Sequence, residues 1–569
     1  MKIGFDNDKY LAMQSEHIRE RIQKFDNKLY LEFGGKLFDD YHASRVLPGF
    51  QPDSKLQMLL QLKDQAEIVI VISAEDIVSS KIRGDYGITY DLDVLRLIDA
   101  FQGVGLYVGS VCVTKYAAAP EVEAFEKRLN EARLPDWLSM EYLPDRETLF
   151  AGVYELPPAH TLCWQNGRVS LQRYAAPRFR VQRGRSLRSW AQAIGDALAD
   201  SAAAHRIADV EVGCFLSGGV DSSLVVRETA RNQPAVQCFS VGYREEKYSE
   251  LPAARAAAAA LGVPLTETTV TAEAFFDANR AIQWYLDEPM PNPAEVPLYF
   301  LCKTARQRVK VVLSGEGADE LFGGYPLYRQ AVWAEGWQRM PRPVRRALAA
   351  LLPGCGLLRR GVQPRWQRCA RANYVFETPQ ERDLYLKRPC AASDPARRCK
   401  PYFDKVRGLD EPTALQWVDL QTWLPRDILR KADRMSMAHS LELRVPFLDR
   451  RVLAVALGLP RRYRCTARRG KIALRAAAAR RLPRALATNP KRGFPVPLAD
   501  WLRQDEYYAR VKAKFTGPVA ERFFDTGALC ALLDDHRAGK TNAMTKIWAF
   551  YCFIEWYEMY FVEQKPPIL

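Results

Sequence analysis

No apolar stretch in the 569 residues approaches the roughly 20 residues that a bilayer span needs. Ile68–Ser73 and Val309–Leu313 are only strand-sized. The opening Met1-Lys2-Ile3-Gly4-Phe5-Asp6-Asn7-Asp8 lacks the apolar core of a secretory signal, so a cytoplasmic location is expected. The twelve cysteines contain no C-x-x-C pair. Cys112, Cys163, Cys214 and Cys238 fall in apolar strand-like runs, which predicts buried thiols rather than disulfides or zinc ligands. His17, His42, His160, His205, His439 and His536 show no paired spacing, and no metal site is assigned to them. Against a hydrophobic content of 48%, charged residues make up 26%, which suits a globular chain long enough for two or more domains. The formal charge of +15 is carried largely by arginine pairs in the second half, such as Arg345-Arg346, Arg359-Arg360 and Arg480-Arg481. They are not interleaved with aromatics on a recognisable nucleic-acid module, so they read as solvated faces. Small molecules are the expected partners, with a homodimer as the assembly to test and neither membrane nor nucleic acid called for.

What is present is concentrated in two turns. The apolar run Val210–Leu216 ends in Ser217-Gly218-Gly219-Val220-Asp221-Ser222-Ser223 and reopens as a helix. Two glycines allow positive φ and bring successive N–H groups close to a phosphate, and the helix aims its positive end at the same point. Asp221 cannot attract phosphate; it suits a Mg²⁺ that bridges phosphate oxygens. No lysine closes this turn, so it is not the kinase-type phosphate loop. A second apolar run, Val309–Leu313, ends in Ser314-Gly315-Glu316-Gly317-Ala318-Asp319-Glu320-Leu321-Phe322-Gly323-Gly324-Tyr325. Three acids in five positions call for a cation or a proton transfer. Val210–Leu216, Val236–Gly242, Leu265–Val270 and Val309–Leu313 alternate with helical segments, which predicts a parallel, helix-covered sheet with both turns at one edge. Beyond about residue 330 the chain reads as mainly helical.

The first turn resembles the pyrophosphate-binding loop of the ATP pyrophosphatases. Together the two turns resemble the synthetase domain of glutamine-hydrolysing asparagine synthetases and of their relatives, the β-lactam synthetases and lasso-peptide cyclases. Tyr248-Ser249-Glu250, Asp287-Glu288-Pro289, Leu424-Pro425-Arg426-Asp427 through Ala432-Asp433-Arg434-Met435-Ser436, Arg444-Val445-Pro446-Phe447-Leu448-Asp449, Gly470-Lys471 and Lys491-Arg492-Gly493-Phe494-Pro495 extend the likeness over roughly residues 134 to 560. The fold it implies is α/β of the adenine nucleotide alpha hydrolase type, with helices on both faces of a parallel sheet. The chemistry it implies is ATP-dependent amidation of aspartate through β-aspartyl-AMP, with Mg²⁺. On that resemblance Ser217, Gly218, Gly219, Ser222 and Ser223 bind the β and γ phosphates, and Asp221 and Asp319 ligate Mg²⁺. Lys471 neutralises the leaving pyrophosphate, and Glu316 accepts a proton as ammonia adds. Leu216, Val241, Ser314 and Gly315 flank the adenosine, while Asp433, Arg434 and Arg444 read the charged ends of the substrate. A relative that adenylates a carboxylate for attack by an internal amine is the alternative.

Residues 1–133 differ in texture, with more Lys, Gln, Asp and Ile, and they alternate strand and helix: a strand and turn over Leu29–Lys36, strands over Ala66–Ser73 and Gly105–Lys115, and a helix over Val94–Phe101. Through Leu29–Phe50 and Asp85-Tyr86-Gly87-Ile88-Thr89-Tyr90-Asp91, this separate α/β segment resembles the N-terminal part of an uncharacterised bacterial family. It stands where the glutamine-hydrolysing family has a glutaminase domain that begins with a nucleophilic Cys. Here position 2 is Lys, no Cys precedes Cys112, and the segments that bind glutamine are not found. Residues 134–180 read as a remnant of that domain, with a hairpin over His160–Arg173 around Asn166-Gly167. Residues 181–569 form the ligase domain. The expectation is an enzyme that takes free ammonia, or ammonia delivered by a partner, because it lacks the glutamine nucleophile.

Overall fold

The computed structural model describes residues 28–33, 67–73, 107–112 and 127–564, except 166–167, 353, 356–357, 359–360, 369–373, 390–392 and 490–494. The chain divides into two compact units, Met1–Lys127 and Arg128–Leu569, with the division six residues before the seam read from composition. In the first unit β1 (Lys28–Phe33), β2 (Glu67–Ser73) and β3 (Tyr107–Cys112) form a parallel sheet in the order β1-β2-β3. The helix expected over Val94–Phe101 lies outside the described residues.

The second unit opens with the helix Leu134–Met140, which is tied into the rest of the unit rather than appended to it. Trp137 is buried and donates from Nε1 to the carbonyl of Pro289 at 2.9 Å. Arg133 is also buried and is paired with Asp136, Asp145 and Glu147. The antiparallel hairpin of β4 (His160–Gln165) and β5 (Arg168–Arg173) forms as its turn signal predicts, but it lies on the surface. Cys163 is accordingly exposed and not buried, because a lone two-stranded hairpin leaves one side of each strand in water.

β6 (Val212–Phe215), β7 (Cys238–Tyr243), β8 (Leu265–Val270), β9 (Val311–Leu313) and β10 (Glu442–Arg444) form a five-stranded parallel sheet in the order β10-β9-β6-β7-β8. Every residue of β6, β7 and β9 is buried, as expected for central strands covered on both faces. The helices Leu187–His205, Val220–Ala230 and Ile472–Ala478 share a core with them through Ile194, Leu198, Leu224, Val225 and Leu474. β10 is absent from the reading of the sequence. Three residues are too few to show a period, and they sit in a region of helical texture. The chain runs from β6 to β7 and β8 on one side and returns through β9 on the other, so the strand order reverses between β6 and β9. In open α/β sheets, ligands bind beyond the carboxyl ends of the strands at such a reversal. The remainder is helical and closes on the aromatic helix Met544–Tyr557, which is almost wholly buried. Among the described residues no helix is long and apolar enough to cross a membrane.

Candidate active site

The turns that follow β6 and β9 open onto one cavity of about 450 Å³, within the range of small-molecule sites. Gly218 has φ +77, and a Cβ there would collide with the carbonyl of Ala253, so only glycine lets the first turn lie against the neighbouring helix. The amide of Ser217 donates to Ser222 Oγ at 3.2 Å, and the amide of Gly219 donates to Ser217 Oγ at 3.3 Å. Asn489 Nδ2 holds the carbonyl of Gly218 at 2.9 Å. Gly219 caps the helix Val220–Ala230 without a side-chain acceptor, so the first N–H groups of that helix remain available to an anion.

Lys471 lies between the two turns. Its Nζ is 2.5 Å from Asp221 Oδ2 and 2.7 Å from Asp319 Oδ1, and the residue is buried. Burial pushes its pKa down, but Asp221 and Asp319 outweigh that and hold it above the ordinary lysine value, so it stays charged. Lys471 itself has φ +53, a conformation unusual for a residue with a side chain, at the start of the helix Ile472–Ala478. Gly324 makes room for it: a Cβ at that position would overlap both the Asp319 carboxylate and the lysine chain.

The two aspartates therefore lie close enough for one cation to reach both. Asp221 Oδ1 is buried without a hydrogen-bond partner, so one oxygen of the pair has an unmet need for a cation or donor. Hard carboxylate oxygens suit Mg²⁺, and two protein carboxylates completed by phosphate oxygens and water are its usual company. Among the described residues no group of three or more His, Cys, Asp or Glu could hold a metal without such help.

Glu316 lines the same cavity and accepts a hydrogen bond from Ser314 Oγ. Burial raises its carboxyl pKa, and the charge of Lys431 opposes the rise only in part. Leu216, Val241, Ser314 and Gly315 also line the cavity. The structure thus brings together Leu216, Ser217, Gly218, Gly219, Asp221, Ser222, Val241, Ser314, Gly315, Glu316, Asp319 and Lys471.

Four expected residues fall elsewhere. Ser223 is fully buried and does not line the cavity, because the helix begun at Val220 has already turned it into the core. Arg444 belongs to β10: it donates from Nη1 to the carbonyls of His205 at 2.7 Å and Ile207 at 2.8 Å, and from Nε to Glu442 at 2.7 Å. Its own carbonyl receives the amide of Ser314, so its backbone aligns the second turn, and its side chain does not line the cavity. Asp433 and Arg434 are exposed on the helix Leu429–Met437, outside the cavity, with Arg434 paired to Asp287 at 2.9 Å. An Arg–carboxylate pair on a helix surface serves the fold as readily as a ligand.

Other lining residues had no assigned role. Glu320 accepts from Tyr325 OH at 2.7 Å, and burial, reinforced by the adjacent Asp319, pushes its pKa up to about 7. Glu250, Arg475 and Asn489 also belong to the wall. Glu250 and Glu320 lay inside recognised motifs, whereas nothing local distinguishes Arg475 or Asn489. Residues 491–494 of the last motif lie outside the described residues.

The profile described as Asparagine synthase matches residues 193–558, which contain all of this cavity. The chain belongs to the asparagine synthase family. An asparagine synthetase (glutamine-hydrolyzing) of Bacillus subtilis (strain 168) is 30% identical over 590 residues, covering 99% of this chain and 91% of that protein. A Mycobacterium tuberculosis (strain ATCC 25618 / H37Rv) protein with a provisional name of the same kind is 37% identical over 464 residues, 78% of this chain and 70% of that one. Membership makes this chain an ATP-dependent amide ligase. The profile described as a domain of unknown function, DUF1846, N-terminal, matches residues 3–141, overlapping the start of the second unit. Over 137 residues the chain is 52% identical to a UPF0371 protein of Streptococcus sanguinis (strain SK36), 24% of this chain and 28% of that protein. It therefore spans little more than a quarter of that relative.

Proposed function

We propose that this member of the family converts aspartate to asparagine with free ammonia, using ATP and Mg²⁺. The observation that carries the proposal is a buried, charged lysine that ties the acids of two phosphate-facing turns together beside a third, raised carboxyl. Ser217, Ser222 and the amides of Gly218 and Gly219 would receive the β and γ phosphates, and Leu216 and Val241 would bound the adenosine. Asp221 and Asp319 would hold Mg²⁺, which when bound neutralises phosphate charge. The β-carboxylate of aspartate attacks the α-phosphorus, the bond to the bridging oxygen breaks, and Lys471 turns toward the departing pyrophosphate. Stabilising charge as it develops is the main contribution such a site can make. Ammonia then attacks the β-carbonyl carbon and gains positive charge. Glu316 takes the proton, and AMP leaves with the carbonyl–oxygen bond electrons.

Dependence on free ammonia is supported by residues 3–141 matching a domain of unknown function where the glutamine-hydrolysing pattern has its glutaminase segments. A cytoplasmic location and a homodimer belong to the same reading. The experiment is release of AMP and pyrophosphate dependent on L-aspartate, with ammonium and glutamine in parallel. Turnover with ammonium and background glutamate release are expected. Turnover only with a peptide or a carboxyl substrate that carries its own amine would replace aspartate, and appreciable glutamate release would overturn the dependence on ammonia.

A further inference from the structure

Residues 336–376 contain nine arginines and no lysine, aspartate or glutamate. Arg365 and Arg368 share a single counter-charge, Glu411, at 2.7 and 2.8 Å, while Arg345 is spent on Gln338 and on the carbonyls of Met340 and Gly361. Arg339, Arg342 and Arg346 are exposed and make no ion pair among the described residues.

The helix Arg342–Leu351 lies within this segment, and none of its residues is buried. Val344, Leu348 and Leu351 follow one another at i, i+4 and i+7 and so form one row, with Arg342 and Arg346 opposite and Arg345 on the flank. A globular protein would turn the apolar row inward. Here Val344 is 45% exposed, Leu351 73% and the adjoining Leu352 56%, with Leu348 half-buried between them, while Arg345 is bonded within the segment to Gln338, Met340 and Gly361. Trp333, on the preceding helix, is 62% exposed.

We propose that the helix Arg342–Leu351 docks the enzyme on the surface of an anionic lipid bilayer. A strongly amphipathic helix of low overall hydrophobicity, rich in arginine and with its apolar row presented outward, lies in the plane of a membrane interface. The apolar row enters the boundary between headgroups and acyl chains, and Arg342 and Arg346 reach back along their stems to lipid phosphates. Among the described residues no helix is long and apolar enough to span the bilayer. A nucleic acid would use the arginines but leave the apolar row in water, so the bilayer accounts for both halves of the surface.

The test is co-sedimentation of the full chain with phosphatidylcholine vesicles with and without phosphatidylglycerol. Binding is expected only with the anionic lipid and is expected to weaken as salt rises. Val344→Glu with Leu351→Glu should abolish it. Arg346→Gln should weaken it roughly five-fold, the effect of one arginine at such a surface. These positions are exposed and outside the cavity, so both variants should retain the wild-type ligase rate without vesicles, which also establishes folding. No binding to phosphatidylglycerol vesicles at low salt would overturn the proposal. It would also fall if the double glutamate variant bound as well as wild type, or if that variant bound a DNA duplex undiminished while vesicles did not compete. Conversion of a dimer to a monomer by the same variant in light scattering, without vesicle binding by wild type, would reassign the face to a second copy of the chain.

Discussion

The turn Ser217–Ser223 and the stretch Arg426–Asp449 are comparably rich in motif residues, yet they meet opposite fates. In the turn, five of the six residues assigned to the site line the cavity, and only Ser223 is turned into the core. In the stretch, Asp433, Arg434 and Arg444 all lie outside it, and Arg444 is consumed by two carbonyls and Glu442. A glycine turn at the end of a strand works through its own backbone, so its function travels with its sequence. A charged side chain works through whatever the fold brings within 3 Å of its tip. The stretch still contributes: β10 aligns the second turn through the Ser314 amide, and Lys431 tempers the rise of the Glu316 pKa.

The contrast yields predictions of decreasing size. Lys471→Ala should lower pyrophosphate release roughly a thousand-fold, as loss of a focused electrostatic partner does. A loss under ten-fold in single-turnover assays would put the lysine outside the chemistry. Glu316→Gln should retain ATP binding and lower amide formation at least about a hundred-fold, in keeping with loss of a proton acceptor. Because burial holds the Glu316 pKa above the ordinary carboxylate range and the proton acceptor must be ionised, the wild-type rate should climb with pH through that raised value. The variant should lose that limb, and an unchanged pH profile would remove Glu316 from the step.

The stretch should respond in stability, not in rate. Arg444→Gln is expected to cost about 1–2 kcal/mol in denaturant unfolding, from lost hydrogen bonds. The KM for aspartate should stay within about two-fold of wild type, the range for a residue that makes no substrate contact. A large rise in KM would restore Arg444 to the substrate site. Asp449→Ala should cost about 1 kcal/mol by removing the cap of the helix Arg450–Gly458, where Asp449 Oδ1 accepts from the Arg451 amide at 2.8 Å. The bond to Arg451 holds Asp449 down at about 2. Its contribution is therefore complete above the ordinary carboxylate value and is lost as pH falls toward 2. Wild type and variant should converge in stability on that acid side, and a gap that persisted there would contradict the cap.

Read without coordinates, the residues already specify four of the five strands of the main sheet, the two turns and the acids they present. Each rests on a short window: apolar runs of strand length, glycines where positive φ is required, and a turn signal for the hairpin. Cys163 and β10 escape because burial and strand pairing depend on distant partners, Cys163 lacking a sheet to cover it and β10 needing β9 to define it. Three-dimensional folding alone decides that Lys471, 250 residues from Asp221, lies between two aspartates, that Asn489 braces Gly218, and that Arg444 spends its donors on the scaffold. Local conformation depends on neighbours along the chain and is written in them. The charge, hydration and partners of a side chain are set by segments hundreds of residues away, and no short window contains them.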